Sequence, residues 1–262
     1  MDVLITGAAS GIGRSVVDIF LENNHNVFAI DVNNVEARDN LKSFLGDVTD
    51  KESLNRVYDY LVDNNIKLDL IVNVAGIHKM SSFIESDYEK MKKVIEVNLM
   101  GTMLVNRTFH RLLKEKGKVV IVTSEVAGLA PLPFNGLYSV SKSALDCYAQ
   151  ALRQELNLLK QKVITIRPGA VLTPLSSGSL DDTKKLVSDT VIFKKQSKKF
   201  YDIVKKFMGK PIEPEKVGNL IYKVSNKRYP KYIYNIHRNP GLVILGKLPL
   251  RLQCFIVRIL VN

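Results

Sequence analysis

Tyr138 and Lys142 are the residues of this chain whose types and spacing best fit proton-transfer chemistry. Residues four apart lie on the same face of a helix, so the two side chains should lie side by side. A nearby ammonium group favours the phenolate form, which lets a phenol exchange protons closer to working pH. The same Tyr-x-x-x-Lys pattern begins at Tyr88 and at Tyr201, so the surrounding sequence must distinguish the three pairs.

A glycine-rich turn follows the first predicted strand, in the run Thr6-Gly7-Ala8-Ala9-Ser10-Gly11-Ile12-Gly13. Glycines let the backbone approach a pyrophosphate, and the N-terminus of the following helix faces the negative charge. The second predicted strand ends at Asp31, whose carboxylate can accept from both ribose hydroxyls and would repel a 2′-phosphate. The same carboxylate could instead simply open the turn that follows. The pattern predicts a dinucleotide site that prefers NAD, with NADP less favoured.

Length and composition fit one folded domain. A chain of 262 residues that is 46% apolar can bury a full core, so we expect a single domain over residues 1–262. The first predicted strand begins almost at Met1, which leaves no room for a signal peptide and predicts a cytoplasmic protein. Cys147 and Cys254 have no metal or redox spacing, so we expect reduced, structural cysteines and no metal.

Apolar runs of strand length alternate with helical periodicity along the chain. The predicted strands cover 3–6, 27–30, 41–45, 68–72, 118–122 and 163–166. The predicted helices cover 14–23, a weak helix between the second and third strands, 53–64, 87–114 and 138–160. Buried strands separated by helices predict an α/β fold, a doubly wound parallel sheet with helices on both faces. Beyond Pro168, glycine, proline and serine predict a mobile loop and one or two helices, so residues 174–230 would form a substrate lid.

The net charge of +12 comes from the last third of the chain. Residues 1–179 carry 20 Lys and Arg against 20 Asp and Glu, whereas residues 180–262 carry 18 against 6. Basic doublets at 194–195 and 198–199 accompany apolar positions at helical spacing, which is typical of a solvated helix face. An anionic lipid surface or an acidic substrate is the alternative partner. No nucleic-acid-binding motif accompanies the charge, so we expect no nucleic acid partner.

Residues 240–262 form an amphipathic C-terminal segment. Apolar residues repeat at helical spacing beside two arginines, at Leu252, Phe255, Ile256, Ile259 and Leu260, with Arg251 and Arg258. The apolar run is too short and too interrupted to span a bilayer. It could dock against the body of the protein or a second subunit, or it could lie on a membrane with its basic residues at the head groups.

The sequence resembles the short-chain dehydrogenase/reductase family over residues 3 to about 175. The motifs stand in family order and spacing at Thr6–Gly13, Gly46–Asp50, Asn73–Gly76, Asn98–Gly101, Ser124–Gly128, Tyr138–Lys142 and Pro168–Thr173. Each motif is weak alone, but the ordered set is very specific. The segment 132–138 is similar to hydroxysteroid- and retinol-type members, which act on lipophilic alcohols or ketones.

The resemblance implies a Rossmann-type NAD(P)-binding domain that interconverts a secondary alcohol and a ketone. Tyr138 would be the acid/base, and Lys142 would lower its pKa. Ser124 would bind the substrate oxygen, and Asn98 would hold a proton-relay water. The resemblance assigns cofactor contacts to Thr6, Gly7, Ser10, Gly11, Ile12, Gly13, Asp31, Asp47, Val48, Asn73, Ala75, Gly76, Tyr138, Lys142, Pro168, Gly169, Val171 and Thr173.

The serine position departs from the family pattern. The functional Ser usually lies 13 residues before the Tyr, where this chain has Glu125, and Ser124 lies 14 before it. We expect Ser124 to face the substrate, because a carboxylate beside a developing alkoxide would raise the barrier. If Glu125 faces the site instead, the hydroxyl role is missing.

The leading prediction is therefore an NAD(H)-dependent oxidoreductase acting on a small, lipophilic substrate. A dinucleotide-binding regulatory protein with little catalysis is an alternative, supported by the serine position. An NADPH-dependent 3-oxoacyl-type reductase is another, which the basic tail favours and Asp31 opposes. The helix at 138–160 commonly forms a dimer face in the family, so we expect a homodimer or homotetramer. His78 could line the substrate mouth, although a surface position is the simpler interpretation.

Overall fold

The computed structural model describes residues 1–207 and 210–262. Its strands are β1 Asp2–Thr6, β2 Asn26–Asp31, β3 Leu41–Leu45, β4 Leu68–Asn73, β5 Leu113–Val122, β6 Lys162–Pro168 and β7 Ile233–Ile236. Its α-helices are α1 Gly11–Glu22, α2 Lys51–Asp63, α3 Tyr88–Ile95, α4 Thr102–Phe109, α5 Gly136–Leu158, α6 Pro174–Asp189, α7 Lys194–Phe207, α8 Pro214–Ser225, α9 Pro240–Lys247 and α10 Leu250–Val261.

The strands form one parallel sheet in the order β3-β2-β1-β4-β5-β6-β7. Alternate side chains of each strand enter apolar clusters on opposite faces, with Leu4 and Ile71 in one and Ile5 and Val72 in the other. This confirms the predicted doubly wound α/β fold. Because β1 pairs with both β2 and β4, the chain reverses direction across the sheet there and leaves a crevice at the strands' carboxyl ends, where such folds bind ligands.

The prediction of a weak helix between β2 and β3 was wrong. Residues 32–40 contain no helix, and Asn40 takes a left-handed conformation with φ 60°. Asn33 donates its backbone N–H to the Asp31 side chain, which is the local bonding by which Asx residues favour turns over helices.

The long helix expected over 87–114 is interrupted and shorter. A π-helical segment at Glu96–Gly101 separates α3 from α4, and a short 3₁₀ turn at His110–Leu112 ends the helical region. β5 begins at Leu113, but residues 114–117 bulge from the sheet, because Leu68 pairs with Leu113 while Leu70 pairs with Lys118. Regular pairing runs from Lys118, the predicted start of this strand.

The prediction of a mobile loop after Pro168 was wrong for its central part, because α6 begins at Pro174. The Thr173 side chain accepts from the N–H of Ser176, whose hydroxyl caps in return, and proline at the first helical position is preorganised for a helix. The region 174–230 contains α6, α7 and α8 rather than one or two helices, and its residues 208 and 209 lie outside the described part. β7, a short strand, was not predicted.

The C-terminal segment forms α9 and α10, and one side of α10 docks on the body of the protein. Val257 and Val261 of α10 pack with Phe134 and Phe200 in a third apolar cluster. Among the described residues, no helix combines the length and apolarity needed to cross a bilayer. Cys147 and Cys254 are free thiols, and both are exposed, so neither is a core residue.

Candidate active site

The glycine turn packs against the end of β4. Gly7 and Gly11 take positive φ values of 69° and 52°, which side chains rarely adopt. A Cβ on Gly7 would lie 2.7 Å from the backbone nitrogen of Ala75, so the two loops touch. Thr6 fixes this contact, since its hydroxyl accepts from the N–H groups of Val74 and Ala75 at 3.3 and 3.4 Å.

One large cavity, about 1100 Å³ in volume, opens beside this turn. Its walls include most of the residues predicted to hold a cofactor, namely Gly7, Ser10, Gly11, Ile12, Asp31, Asp47, Val48, Ala75, Gly76, Pro168, Gly169, Val171 and Thr173. The start of α1 therefore faces the cavity, as a pyrophosphate-binding helix N-terminus would.

Asp31 lies at the wall of the cavity, at the end of β2. Its Oδ2 accepts from the N–H of Ala9 at 3.0 Å, and its Oδ1 accepts from the N–H of Asn33 at 2.8 Å. The carboxylate therefore opens the following turn, and the residue also lies on the cavity wall.

Asp47 lies on the same side of the cavity as Val48. Although burial opposes the shift, hydrogen bonds from the Thr49 N–H and hydroxyl, with Lys93 nearby, hold the pKa of the Asp47 carboxyl below its usual value. This arrangement fits the adenine end of a dinucleotide, with the carboxylate kept ionised. The glycine turn, Asp31 and Asp47 thus lie along the wall of one cavity.

Asn73 does not reach the cavity with its side chain. Its Nδ2 donates to the side-chain Oδ1 of Asn106 at 3.0 Å, and the residue is almost fully buried between β4, β5 and α4. Thr6 and Gly13 also lie behind the cavity wall, where a Cβ on Gly13 would fall 1.9 Å from the Gly7 carbonyl oxygen. These predicted cofactor residues shape the loops around the site rather than line it.

Asn98 lies in the π-helical segment and is fully buried. Its Oδ1 accepts from the N–H of Ile77 at 2.7 Å, while its Nδ2 donates to the Ile77 carbonyl and the Ser141 hydroxyl, each at 2.9 Å. The side chain joins the loop after β4 to the helix that carries Tyr138. π-Helical turns often occur at functional sites, and this one directs the Asn98 amide into the interior.

Tyr138, Lys142 and Ser124 meet at the cavity wall. The Ser124 side chain stands close enough to the Tyr138 phenol to act on its pKa. Lys142 lies one turn behind on α5, with its Nζ 5.7 Å from the centre of the Tyr138 ring and 3.3 Å from the carbonyl oxygen of Val122, to which it donates. Tyr88, which begins another Tyr-x-x-x-Lys pair, is 69% exposed, as an ordinary helix-surface residue would be.

Burial shifts the pKa of both groups. It raises the pKa of Tyr138 to about 12, with the neighbouring Ser124 hydroxyl opposing the shift, and it lowers the pKa of Lys142 to about 8. The direction for the phenol is opposite to the lowering expected from Lys142. The physical reason is that both side chains are removed from water, and the Lys142 Nζ contacts the Val122 carbonyl instead of the phenol.

Ser124 and Glu125 have different neighbours. Ser124 stands beside the Tyr138 phenol, whereas the Glu125 carboxylate accepts from the backbone N–H of Asn239, in the C-terminal part of the chain, at 2.6 Å. Burial raises the pKa of Glu125, an effect that this hydrogen bond, Arg238 and His237 partly oppose. Ser124 is therefore the hydroxyl that stands at the phenol, as expected.

His78 is a site residue that the sequence interpretation undervalued. Its ring lies edge-on to the Tyr138 ring at a centroid distance of 4.5 Å, and its Nε2 is 3.0 Å from the side-chain Oδ1 of Asn135. Burial lowers the pKa of the imidazole, so it is neutral beside the phenol at neutral pH. Its place just after the Asn73–Gly76 motif was the available signal.

The far side of the cavity is an apolar chamber built by the C-terminal helices. Its walls come from α7, α9, α10 and the loop before α5, through Leu132, Phe200, Ile203, Val204, Leu242, Ile244, Leu245, Leu248, Ile256 and Leu260. Within residues 1–207 and 210–262, no three His, Cys, Asp or Glu side chains stand close enough together to hold a metal ion.

Residues 2–184 match the family model described as short chain dehydrogenase. The chain belongs to that family. It is 28% identical to an uncharacterized oxidoreductase of Staphylococcus epidermidis over 72% of this chain and 88% of the relative. It is 35% identical to the NADPH-dependent 1-acyldihydroxyacetone phosphate reductase of Schizosaccharomyces pombe, over 68% of this chain and 62% of the relative.

A solved structure shows the same architecture. The short-chain dehydrogenase family protein of Francisella tularensis superposes with a TM-score of 0.75 at 25% identity, covering 90% of this chain and 96% of that one. As a short-chain dehydrogenase, the protein is an oxidoreductase with a nucleotide-binding fold of the NAD(P) type. The resemblance drawn from its sequence motifs is confirmed.

Proposed function

We propose that this short-chain dehydrogenase interconverts a secondary alcohol and a ketone with NAD(H), using Tyr138 as the acid/base. The observation that carries the proposal is the Tyr138 phenol at the cavity wall, with Ser124 beside it on that wall and Lys142 one turn along the same helix. Bound nicotinamide would supply the hydride acceptor or donor. A proton must move at the substrate oxygen as hydride moves at its carbon, and a positioned phenol can move it.

The two hydroxyls at the wall support a specific division of roles. Because Ser124 and Tyr138 are neighbours on the cavity wall, one substrate oxygen could contact both hydroxyls. With its pKa raised to about 12, the phenol is protonated at neutral pH and can donate to a ketone oxygen. Lys142 and Asn98 would fix the position of the phenol. Asn98 would do so by joining the loop at Ile77 to the helix at Ser141 through its side-chain hydrogen bonds.

The preference for NAD over NADP rests on Asp31. Its carboxylate faces the cavity where the ribose of a dinucleotide would lie, and a negative charge there opposes a 2′-phosphate. NADPH-dependent reduction is the second candidate, because the relative from Schizosaccharomyces pombe is an NADPH-dependent reductase. An acyl-type substrate would belong to that second candidate.

The apolar chamber supports a lipophilic substrate. Ligand sites are typically lined by apolar side chains with a few placed polar groups, and here the polar groups are those around Tyr138. We further propose peripheral membrane contact through the basic C-terminal third, a cytoplasmic location, and assembly into a homodimer or homotetramer.

The proposal is tested by mixing purified protein and NADH with a panel of lipophilic ketones and following NADH consumption. We expect turnover of at least one ketone, and little turnover by Tyr138→Phe. Tight NADH binding without turnover on the whole panel would instead support a dinucleotide-binding regulatory protein.

A further inference from the structure

Helix α10 presents three different faces. Val257 and Val261 pack on the body of the protein, and Ile256 and Leu260 line the cavity. Phe255 directly precedes Ile256, and Ile259 directly precedes Leu260. The side chains of Phe255 and Ile259 are 58% and 60% exposed. With about 3.6 residues per turn, these two ridges lie next to each other on the helix. The exposed apolar surface is therefore continuous with the chamber wall.

The exposed ridge extends beyond these two side chains. Further exposed apolar residues stand along the same C-terminal segment, at Ile244, Leu250, Leu252 and Leu260. Single exposed apolar residues are common, but a contiguous exposed patch marks a surface that contacts something apolar. Ile244 and Leu260 also line the cavity, so the patch surrounds the chamber on that side.

Basic residues border this patch. Residues 240–262 contain Lys247, Arg251 and Arg258, all exposed, and no Asp or Glu. Helix α7 packs against α10 and adds four exposed lysines, Lys194, Lys195, Lys198 and Lys199. An apolar ridge edged by cations fits an anionic lipid surface, where the apolar side chains enter the acyl boundary and the cations meet the head groups. A second copy joined through this same face would bring like charges together, which opposes an isologous dimer here.

We propose that α10 docks this protein on anionic membranes, with the chamber open to the lipid, so that a lipophilic substrate enters from the bilayer. The docking part stands on the surface alone. The entry part rests on the proposed function, because it needs a lipophilic substrate that the enzyme turns over.

Docking is tested by sedimentation with phosphatidylcholine vesicles, with and without phosphatidylglycerol. We expect the wild type to bind the anionic vesicles, and we expect Phe255→Glu/Ile259→Glu to bind about tenfold or more weakly. The matched control is Val62→Glu/Leu158→Glu, which places the same two charges at exposed positions near the C-terminal ends of α2 and α5, and it should bind like wild type.

Two results would overturn docking. One is a wild type that leaves anionic vesicles unbound at low salt. The other is a loss of oligomer mass, measured by light scattering, in Phe255→Glu/Ile259→Glu, because that result assigns the ridge to a second copy of the chain.

Entry from the bilayer is tested with a long-chain methyl ketone dissolved in the vesicles and with cyclohexanone in buffer. Phe255→Glu/Ile259→Glu should lower kcat/KM for the vesicle-bound ketone about tenfold. The same variant should leave kcat/KM for cyclohexanone unchanged. An equal fall for both ketones would overturn entry through this face. If the wild type turns over neither ketone, the proposed function fails and entry fails with it, whereas docking is still decided by the vesicle measurement.

Discussion

The Glu125 carboxylate accepts a 2.6 Å hydrogen bond from the backbone N–H of Asn239. Asn239 in turn caps α9, because its side chain accepts from the N–H groups of Gly241 and Leu242. The residue that directly follows Ser124 therefore connects the end of β5 to the wall of the apolar chamber. Its carboxylate is bonded to the backbone before α9, while Ser124 stands beside the Tyr138 phenol.

Replacing Glu125 should loosen the chamber. Glu125→Ala removes the acceptor for the Asn239 N–H, so we expect KM for a lipophilic ketone to rise about tenfold while kcat changes less, because the loss is mainly in binding. Glu125→Gln retains an acceptor oxygen and should restore the wild-type KM. Steady-state kinetics measure both variants, and equal KM values in all three proteins would refute an anchoring role.

Glu125→Gln should also change how the stability of the protein depends on pH. Burial raises the pKa of Glu125, so the folded state binds this proton more tightly than the unfolded state. The carboxyl group's contribution to stability is therefore greatest below its unfolded pKa and decreases as pH rises through the folded value. We expect Glu125→Gln to remove that decrease, which urea unfolding over a range of pH would show.

Tyr138→Phe should abolish chemistry and spare cofactor binding. Removing a general acid costs about 10²- to 10⁴-fold in rate, so kcat should fall by that factor. NADH affinity, measured by fluorescence titration, should stay within about fivefold, since one hydroxyl contributes roughly 1 kcal/mol or less to binding. Tyr88→Phe is the matched control from an exposed Tyr-x-x-x-Lys pair and should keep full activity.

Lys142→Met should stabilise the fold at neutral pH while impairing activity. Burial lowers the pKa of Lys142 from 10.5 to about 8, so the unfolded state holds a proton that the folded state releases between these values. The cost of the buried charge is fully present below pH 8, and it is relieved as pH rises towards 10.5. The variant should therefore gain up to about 3 kcal/mol at neutral pH.

That gain should shrink as pH rises, and urea unfolding at several pH values measures it. Lys92 is exposed and lies four residues after Tyr88, so it is the matched control. Lys92→Met should change the free energy of unfolding by less than about 0.5 kcal/mol at every pH. A gain for Lys142→Met that does not vary with pH would show that packing, not the buried charge, is responsible.

The sequence predicted the first six strands because strands such as β1 and β4 are continuous apolar runs. The four-residue spacing predicted that Tyr138 and Lys142 are neighbours, and the surrounding motifs distinguished this pair from the other two. The partner of the Asn73 side chain could not be predicted because Asn106 lies 33 residues away, a contact that no motif encodes. His78 and Glu125 were hard to assign for the same reason, since their partners are Asn135 and Asn239.

Asp31→Asn should weaken the discrimination between NADH and NADPH. The amide keeps one oxygen that can accept the Ala9 or Asn33 N–H, but it loses the negative charge that would repel a 2′-phosphate. We expect the ratio of NADPH to NADH dissociation constants to fall about tenfold, which corresponds to roughly 1.4 kcal/mol. Fluorescence titration with each cofactor measures the ratio. If wild type and variant show the same ratio, Asp31 is a turn residue alone.

Gly13→Ala and Gly178→Ala should have opposite effects on stability. At Gly13 a Cβ would lie 1.9 Å from the Gly7 carbonyl oxygen, so the glycine turn must open, and we expect a loss of about 2 kcal/mol or more together with weaker NADH binding. At Gly178, inside α6, a Cβ meets nothing within 4 Å, so alanine should add about 0.5–1 kcal/mol through its greater helix propensity. Urea unfolding and NADH titration of both variants test this, and a Gly13→Ala protein with wild-type stability and NADH affinity would rule out the close packing of the turn.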